Sequence, residues 1–410
     1  MEQTFLTSVD IVKVRHLKNI TIPLSTEKRK HLILTGKNGS GKTSVLDSLA
    51  AFFGFLVGSN FYSREEIQKT INILSSNLPS GTTEEDRRQV QRKNKSIAVW
   101  EKEMRHWTDG AVTLCTSFAT LRDKYANGQF ILAYYKADRL STVEISSTIE
   151  NIQLKDKYEL GEIPGKKLVK YMVGLKATQA FALQKGDQKR SAEIENWFAR
   201  FEGVLKKIFD DPTLRLDFDI DNFEFHILQE NREPFDFNTM SSGYSAVFDI
   251  INDLMMRMES KKDYATEGVV LIDEIDTHLH LELQRVILPF LTELFPNIQF
   301  IVTTHSPFVL NSIDNAVIYD LETQKLVKDG LANYPYDGIV EGYYHADKLS
   351  SDFRAKINRY KELVEKLELT DEDYAEIVEL EQDLDEIPDY LSPEIASEYS
   401  RLKLEFSNRG

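Results

Sequence analysis

The sequence contains a single cysteine, Cys115, and no apolar run long enough to span a bilayer. One cysteine cannot form a disulfide within the chain, so the fold does not rely on an internal disulfide framework. The first ten residues, MEQTFLTSVD, have neither the basic segment nor the apolar segment of a secretory signal peptide. These absences predict a cytoplasmic protein in a reducing compartment, with no membrane segment.

Positive charge is also scarce. The 410 residues include 50 Lys and Arg and 66 Asp and Glu, and residues 351–410 alone hold 8 basic and 17 acidic residues. The formal net charge of −16 disfavours non-specific nucleic-acid binding by the whole surface. A local basic segment, residues 85–103, is interpreted as a solvated helix face. Its basic residues are Arg87, Arg88, Arg92, Lys93, Lys95 and Lys102, balanced by Glu84, Glu85, Asp86, Glu101 and Glu103.

A phosphate-binding loop is predicted near the N-terminus. Residues 31–35 read as a short buried strand, and residues 45–53 place apolar side chains at helical spacing. The loop between them fits G-x-x-x-x-G-K-[ST], whose backbone N–H groups surround a phosphate at a helix N-terminus. Lys42 would contact the β- and γ-phosphates, and Thr43 would bind Mg²⁺. The candidate nucleotide-binding residues are Gly36, Asn38, Gly39, Ser40, Gly41, Lys42, Thr43 and Ser44.

Two acids and a histidine follow later apolar runs. Residues 268–274 read GVVLIDE, a buried strand that ends in Asp273 and Glu274. There Asp273 would bind Mg²⁺, and Glu274 would act as the base for an attacking water. The next apolar strand, residues 300–303, precedes His305. We expect His305 at the same sheet edge as the phosphate loop, within reach of a γ-phosphate.

A second anion site is predicted at the start of a later helix. Residues 246–255 have apolar side chains at helical spacing, and Ser241, Ser242 and Gly243 stand just before them. Small residues at a helix N-terminus leave backbone N–H groups open to an anion. The first loop already surrounds the phosphates on one side. A second anion site therefore suggests a nucleotide shared between two subunits.

The order of these motifs, with MSSGY, VVLIDE and TTHSP after the phosphate loop, resembles the ABC-type ATPases of the RecF, SMC and Rad50 kind. The resemblance covers roughly residues 8–330 and implies ATP and Mg²⁺ as cofactors. It makes residues 240–244 the signature motif, which contacts ATP bound to the opposite subunit. It also makes Asp273 the Walker B aspartate, Glu274 the catalytic glutamate and His305 the switch histidine.

Two details of the resemblance stay open. The run DTHLH at residues 276–280 resembles the pattern of the OLD-like AAA_21 group, with metal binding by His278 and His280 as the rival interpretation. The Q-loop of ABC-type ATPases has no clear position. The segment FILAYYKADRL is its best candidate, with Asp138 or Arg139 near the nucleotide.

The predicted fold class is α/β, an ABC-type P-loop ATPase head with helical insertions and a C-terminal helical extension. A capping box, Thr82 with Glu85, is expected to open the second inserted helix. Residues 1–62 are predicted to form the N-terminal part of the head with the P-loop, and residues 63–213 to form helical insertions around a head strand at about 128–140. Residues 214–330 are predicted to form the C-terminal part of the head, with the signature, Walker B and the switch histidine. Residues 331–410 are predicted to form an acidic tail for partner or self-association.

The tail is predicted to form amphipathic acidic helices broken at Pro388 and Pro393. Their apolar stripe is expected to cover the head or a partner; it comprises Ile357, Tyr360, Leu363 and Leu367. The segment DGIVEGYYHADKLSSDFRAKINRYKEL resembles the tail of stand-alone antiphage ATPases, the PtuA family of the Septu systems among them. That resemblance implies a homodimer or higher homo-oligomer and a separately encoded nuclease, typically of the HNH type.

Three functions compete. The first is an ATPase that dimerises around ATP and controls an effector nuclease in antiphage defence. The second is a RecF- or Rad50-like repair or recombination ATPase acting directly on DNA. The third, a transporter ATPase, is disfavoured by the helical insertions and the acidic tail. The tail and the lack of a nuclease motif favour the first function, with DNA as a candidate partner either directly or through the complex.

Overall fold

The computed structural model describes residues 3–59, 61–76, 83–138, 143–144, 148–334, 339, 351–366, 368–385 and 393–407. The chain divides into two compact units, Met1–Tyr334 and Pro335–Gly410. In the described residues no helix is both long enough and apolar enough to cross a membrane.

The larger unit alternates strands and helices. Its strands are β1 (Leu6–Val14), β2 (Leu17–Pro23), β3 (His31–Thr35), β4 (Ala111–Leu114), β5 (Phe130–Tyr135), β6 (Arg215–Asp219), β7 (Glu224–Leu228), β8 (Glu267–Ile272), β9 (Ile298–Thr303), β10 (Ala316–Asp320) and β11 (Leu326–Val327). Its helices are α1 (Lys42–Val57), α2 (Arg64–Ser76), α3 (Glu84–Asp109), α4 (Phe118–Ala126), α5 (Leu168–Gln184), α6 (Gln188–Ile208), α7 (Ser242–Glu259), α8 (Leu281–Leu294) and α9 (Pro307–Leu310).

A six-stranded sheet with the order β11-β10-β3-β9-β8-β5 forms the centre of this unit. All neighbouring strands in it are parallel except β11, which pairs antiparallel with β10. Strands β3 and β9 are buried at every position, as expected for parallel strands covered on both faces. Because parallel strands end at one edge, the residues that follow β3, β8 and β9 meet there. The predicted α/β class is confirmed.

A second sheet, β2-β1-β4, is antiparallel and shares a hydrophobic core with the first. Helix α1 contributes apolar side chains to this core at helical spacing. Each fully buried Leu or Phe stabilises the fold by about 1.5–3 kcal/mol relative to an exposed one. The side chains from α1 are Val45, Leu46, Leu49, Phe52, Phe53 and Leu56.

Helices α2 and α3 form the first insertion and are attached to α1 at their base. His106 of α3 stacks on Phe55, and Trp107 lies edge-on to Phe52. The capping box that opens α3 lies one residue later than the predicted Thr82 and Glu85. Thr83 Oγ1 accepts from the Asp86 N–H at 3.0 Å, and Asp86 Oδ2 accepts from the Thr83 N–H at 3.0 Å. Thr82 lies outside the described residues; adjacent threonines followed by three acids leave this register ambiguous in the sequence.

The second insertion contains α5 and α6, and an antiparallel hairpin of β6 and β7 precedes the predicted signature. Buried hydrogen bonds join α7 to strand β5. Asp253 Oδ2 accepts from Arg257 Nε at 2.7 Å and from the Tyr135 hydroxyl at 2.7 Å. Arg257 Nη1 also donates to the Leu132 carbonyl at 3.2 Å. Removing one partner of such a buried pair typically costs about 3–5 kcal/mol, so α7 is firmly held against the sheet.

The smaller unit consists of helices α10 (Ser351–Glu365), α11 (Asp371–Asp385) and α12 (Pro393–Ser407). The expectation that its apolar stripe covers the head or a partner is corrected. Ile357, Tyr360 and Leu363 pack into a core with residues of α11 and α12, such as Ile377 and Leu402. Three amphipathic helices in one segment can bury their apolar faces on each other, which the sequence expectation overlooked. Leu367 and Pro388 lie outside the described residues.

We predict that His31 makes the fold sensitive to acid. Burial lowers the pKa of this imidazole to about 4, and its Nδ1 accepts from the Phe300 N–H at 3.1 Å. The unfolded chain binds a proton near pH 6.5 while the folded chain does not. The free energy of unfolding should therefore fall as pH falls from about 6.5 to about 4, by about 2 kcal/mol between pH 7 and pH 5.

Urea denaturation at both pH values measures this loss. His31→Asn keeps an acceptor but no titrating ring, so its loss between the two pH values should be smaller by that amount. His16→Asn, at an exposed histidine, is the matched control and should behave as wild type. Equal losses in His31→Asn and wild type would contradict the prediction.

Candidate functional site

The predicted phosphate loop joins β3 to α1. Three glycines of this loop have positive φ: 133° at Gly36, 84° at Gly39 and 101° at Gly41. Residues with a Cβ rarely adopt these backbone conformations. A Cβ at Gly36 would also lie 2.8 Å from Ser40 Oγ. Gly41 is the N-cap of α1, with no side-chain cap, and the helix begins at Lys42. The sequence thus builds a tight loop that ends in the free N–H groups of a helix N-terminus.

Lys42 is buried within this loop. Its Nζ donates to the carbonyls of Gly36 at 2.8 Å and Lys37 at 3.3 Å. Burial lowers the pKa of the ammonium group, and the nearby charges of Glu274 and Asp273 oppose that shift. The structure therefore brings Lys42 and both predicted acids into one electrostatic neighbourhood.

The loop has features that fit a phosphate ligand. Ser40 Oγ is buried and has no hydrogen-bond partner among the described residues. A buried hydroxyl without a partner is costly, and a phosphate oxygen would satisfy it. Thr43 is exposed in the first turn of α1, and Asn38 and Gly39 are exposed in the loop. Mg²⁺ in nucleotide sites is usually held by one or two protein oxygens together with substrate phosphates, and Thr43 and Asp273 supply that type of ligand.

Thr303, at the end of β9, links the two predicted acids. Its Oγ1 donates to Asp273 Oδ1 at 2.6 Å and accepts from the Glu274 N–H at 2.7 Å. Thr303 is fully buried, so these bonds are shielded from water. Strand β9 lies between β3 and β8, and one hydroxyl on it therefore fixes the position of both acids relative to the P-loop strand.

Glu274 has a strained backbone. Its φ is 45°, which is uncommon for a residue other than glycine and costs about 1–3 kcal/mol. The N–H of the next residue, Ile275, donates to the Thr303 carbonyl at 3.0 Å, and Thr277 Oγ1 donates to Glu274 Oε2 at 3.0 Å. These bonds hold the strained turn and orient the carboxylate.

His305 follows β9 at the same edge and is half-buried. Burial and the charge of Lys42 lower the pKa of its imidazole, while Asp276 and Glu274 oppose the shift. The preceding residue, Thr304, donates its hydroxyl to Asp276 Oδ1 at 2.5 Å. The structure thus places His305 beside the phosphate loop and the acids, where the sequence predicted it.

The predicted signature residues lie at the start of α7. Ser241 is the N-cap without a side-chain cap bond, and Ser241 and Ser242 are exposed. Gly243 is buried, and a Cβ there would lie 2.9 Å from the His278 carbonyl. The helix N-terminus at Ser241 thus has no side-chain cap, and its first N–H groups face a position where an anion could bind.

The remaining sequence candidates are less well defined. His278 and His280 are exposed, and the described residues contain no group of three or more His, Cys, Asp or Glu that could hold a metal ion. Asp138 follows the end of β5, at the sheet edge next to β8, while Arg139 lies outside the described residues. Sequence reasoning missed Thr303; a hydroxyl as the last residue of an apolar strand was the available signal.

A family model described as "AAA domain, putative AbiEii toxin, Type IV TA system", AAA_21, matches residues 32–311. The match runs from the P-loop strand past His305 and covers more than half of the chain. This chain belongs to the AAA_21 family. The predicted relationship to that group of ATPases is confirmed.

Curated relatives include proteins named for defence systems. The "Septu protein PtuA" of Bacillus mycoides (strain KBAB4) is 23% identical over 79% of this chain and 41% of the relative. The "Retron Ec83 probable ATPase" of Escherichia coli is 34% identical over 34% of this chain and 27% of the relative. The "Retron Vc95 probable ATPase" of Vibrio cholerae serotype O1 biovar El Tor is 25% identical over 55% and 44%. The matches thus span less than half the length of these relatives.

Solved structures of SMC heads are similar to this chain. The SMC head bound to the C-winged helix domain of ScpA has a TM-score of 0.41 at 15% identity, covering 81% of this chain and 100% of that chain. The SMC head of Thermotoga maritima has a TM-score of 0.37 at 13% identity, covering 78% and 94%. Identities this low do not transfer residue roles.

We predict that Lys42→Ala loses nucleotide binding. The substitution removes the only positive side chain that this loop buries among its carbonyls, so phosphate would lose its point-charge partner. Titration calorimetry with ATP and Mg²⁺ should show affinity at least about 100-fold weaker than wild type. Lys37→Ala, at the exposed lysine of the same loop, is the matched control. Normal ATP binding by Lys42→Ala would contradict the prediction that this loop binds the phosphates of ATP.

We predict that Thr303→Val impairs hydrolysis more than binding. Valine keeps the shape but leaves the Asp273 carboxylate and the Glu274 N–H without this partner, which costs about 1–3 kcal/mol. ATP turnover should fall about 10- to 100-fold, while the dissociation constant for ATP changes only a few-fold. Thr303→Ser restores the hydroxyl and should recover most of the turnover. Wild-type turnover in Thr303→Val would show that this hydroxyl does not position the acids.

Proposed function

We propose that this chain binds ATP with Mg²⁺ at the P-loop and hydrolyses ATP to ADP and phosphate. The observation that carries the proposal is that buried Lys42 and Asp273 and half-buried Glu274 lie together at the carboxyl edge of the parallel sheet, close enough for both acids to raise the pKa of the lysine. Gly36, Asn38, Gly39, Ser40, Gly41 and Ser44 would line the phosphate path, Lys42 would contact the β- and γ-phosphates, and Thr43 and Asp273 would hold Mg²⁺.

Glu274 would act as the general base. Water attacks the γ-phosphorus, the bond to the β–γ bridging oxygen breaks, and the water proton passes to the Glu274 carboxylate. Thr277 and Thr303 position this residue through its side chain and its backbone. His305, whose pKa is lowered by burial and Lys42, is a neutral donor suited to a γ-phosphate oxygen.

We further propose that ATP is shared between two copies of the chain. Ser241, Ser242 and Gly243 offer an uncapped helix N-terminus that the P-loop of the same chain does not use in the described hydrogen bonds. A second copy could apply this site to the γ-phosphate from the opposite side. The proposal thus makes ATP part of the interface of a homodimer, or of a higher homo-oligomer.

The proposed role of this ATPase is to control a separately encoded effector nuclease, of the HNH type, in antiphage defence. It is supported by relatives named for Septu and retron systems, and by a tail unit with its own core and an acidic composition that suits partner contact. The second candidate is a DNA repair or recombination ATPase that acts directly on DNA. The resemblance of the motif order in residues 8–330 to RecF- and Rad50-like ATPases motivates this alternative.

We predict that Glu274→Gln traps an ATP-bound dimer. Glutamine keeps the size of glutamate but cannot accept the proton of water, so turnover should fall at least about 100-fold while binding persists. Light scattering after size exclusion should show the mass doubling with ATP and Mg²⁺. Lys42→Ala, which should not bind ATP, is the control that stays at its nucleotide-free mass.

The outcomes separate the parts of the proposal. Wild-type turnover in Glu274→Gln would remove this residue from the role of base. A constant mass with bound ATP would contradict nucleotide-dependent dimerisation but leave hydrolysis intact. Co-expression with a nuclease gene from the same operon tests the defence role. Loss of nuclease control in Lys42→Ala would support that role, and an ATPase without effect on the nuclease would favour the repair alternative.

A further inference from the structure

Helix α3 carries a line of basic side chains on its outer face. Arg88, Arg92, Lys95 and Lys102, here called the α3 stripe, are exposed and recur at spacings of four, three and seven residues. Such spacing places them on one side of an α-helix. The stripe runs about 21 Å along the helix axis at about 1.5 Å per residue.

The opposite side of α3 is the packed side. Ile97, Trp100 and Met104 are half-buried, and Trp100 lies edge-on to Tyr62. No described residue of α3 is fully buried, so the helix is fixed to the head through one side only. The stripe therefore faces solvent rather than the rest of the larger unit.

The acids of this helix form a described ion pair with only one member of the stripe, Arg88. Glu84, Glu85 and Asp86 form the first turn, where Asp86 closes the capping box and Glu84 pairs with Arg88 at 2.9 Å. Residues 87–100 contain five basic side chains and no acidic one. Arg92, Lys95 and Lys102 make no ion pair with any residue that the structure describes. The face is solvated, as the sequence interpretation had it, and its balancing acids lie at the two ends of α3 rather than in the middle.

We propose that the α3 stripe binds the phosphodiester backbone of a nucleic acid. Duplex DNA carries about one charge per 1.7 Å of axis, so phosphates are available along the whole stripe without a required register. Arginine and lysine side chains among polar neighbours are typical of backbone contacts. A protein partner would need an apolar centre, and Val99 is the only exposed large apolar residue that the described part of α3 presents.

The net charge of −16 does not prevent the α3 stripe from contacting a polyanion. Acidic surfaces repel a polyanion, and salt at physiological strength screens that repulsion beyond about 8 Å. Exposed cations on a helix fixed at its base can therefore contact phosphates with little opposition. The base of α3 packs on α1, the helix that begins in the P-loop, through His106 and Trp107.

The test is salt-dependent binding by the 410-residue chain without nucleotide, so that its outcome is independent of the proposed ATPase function. Fluorescence anisotropy with a labelled duplex of about 30 base pairs, from about 50 to about 200 mM KCl, should give a slope of about −3 to −4 in log K against log salt. Single-stranded DNA and RNA of equal length identify which nucleic acid is preferred.

The decisive variant combines Arg92→Gln, Lys95→Gln and Lys102→Gln. Glutamine preserves helix propensity at exposed positions, and circular dichroism checks the fold. The slope should weaken by about 3, and affinity at low salt should fall about 10- to 100-fold. The matched control, Lys13→Gln with Lys185→Gln and Lys189→Gln, removes three exposed charges elsewhere and should bind as wild type.

Three results would overturn the proposal. One is absence of binding by the wild-type chain at the lowest salt. Another is an unchanged slope in the triple variant. The third is equal binding of polyglutamate with the same number of charges, which would point to an acidic protein as the partner.

Discussion

Three parallel strands, β3, β9 and β8, end side by side, and the Thr303 hydroxyl on the middle strand bonds to Asp273 and to the Glu274 backbone. The geometry of the candidate site depends on this contact. The P-loop leaves β3, both acids leave β8, and His305 follows β9. Main-chain pairing fixes the three strands in register, so residues that are far apart in sequence lie close together at one edge of the sheet.

The same edge concentrates charges that are costly to bury. An ammonium group in a loop of carbonyls loses hydration, and neighbouring carboxylates recover part of that loss. The buried Asp253–Arg257 pair of α7 is stabilised by direct hydrogen bonds with each other and with strand β5. Polar groups are thus buried where they connect elements: Thr303 joins strand to strand, and Asp253 joins helix to strand.

Much of this was predictable from sequence. Buried parallel strands have continuous apolar runs, and the P-loop, Asp273–Glu274 and His305 each follow one, so local pattern sufficed to locate them. Thr303 was not found because its role depends on which strands are neighbours. The capping box was shifted by one residue because Thr82 and Thr83 offer similar local chemistry. The apolar stripe of the tail was expected to cover the head or a partner. An amphipathic pattern indicates that one face of a helix is covered, but it does not identify the element that covers it.

The tail supplies its own apolar core, built from α10, α11 and α12. Among the residues that the structure describes, the core cluster that joins the two sheets contains no side chain from these helices. A substitution inside the tail cluster therefore removes contacts among α10, α11 and α12 and none within the cluster that joins the two sheets. Sequence drift in one cluster then leaves the side chains that form the other unchanged, so the two units can diverge at different rates.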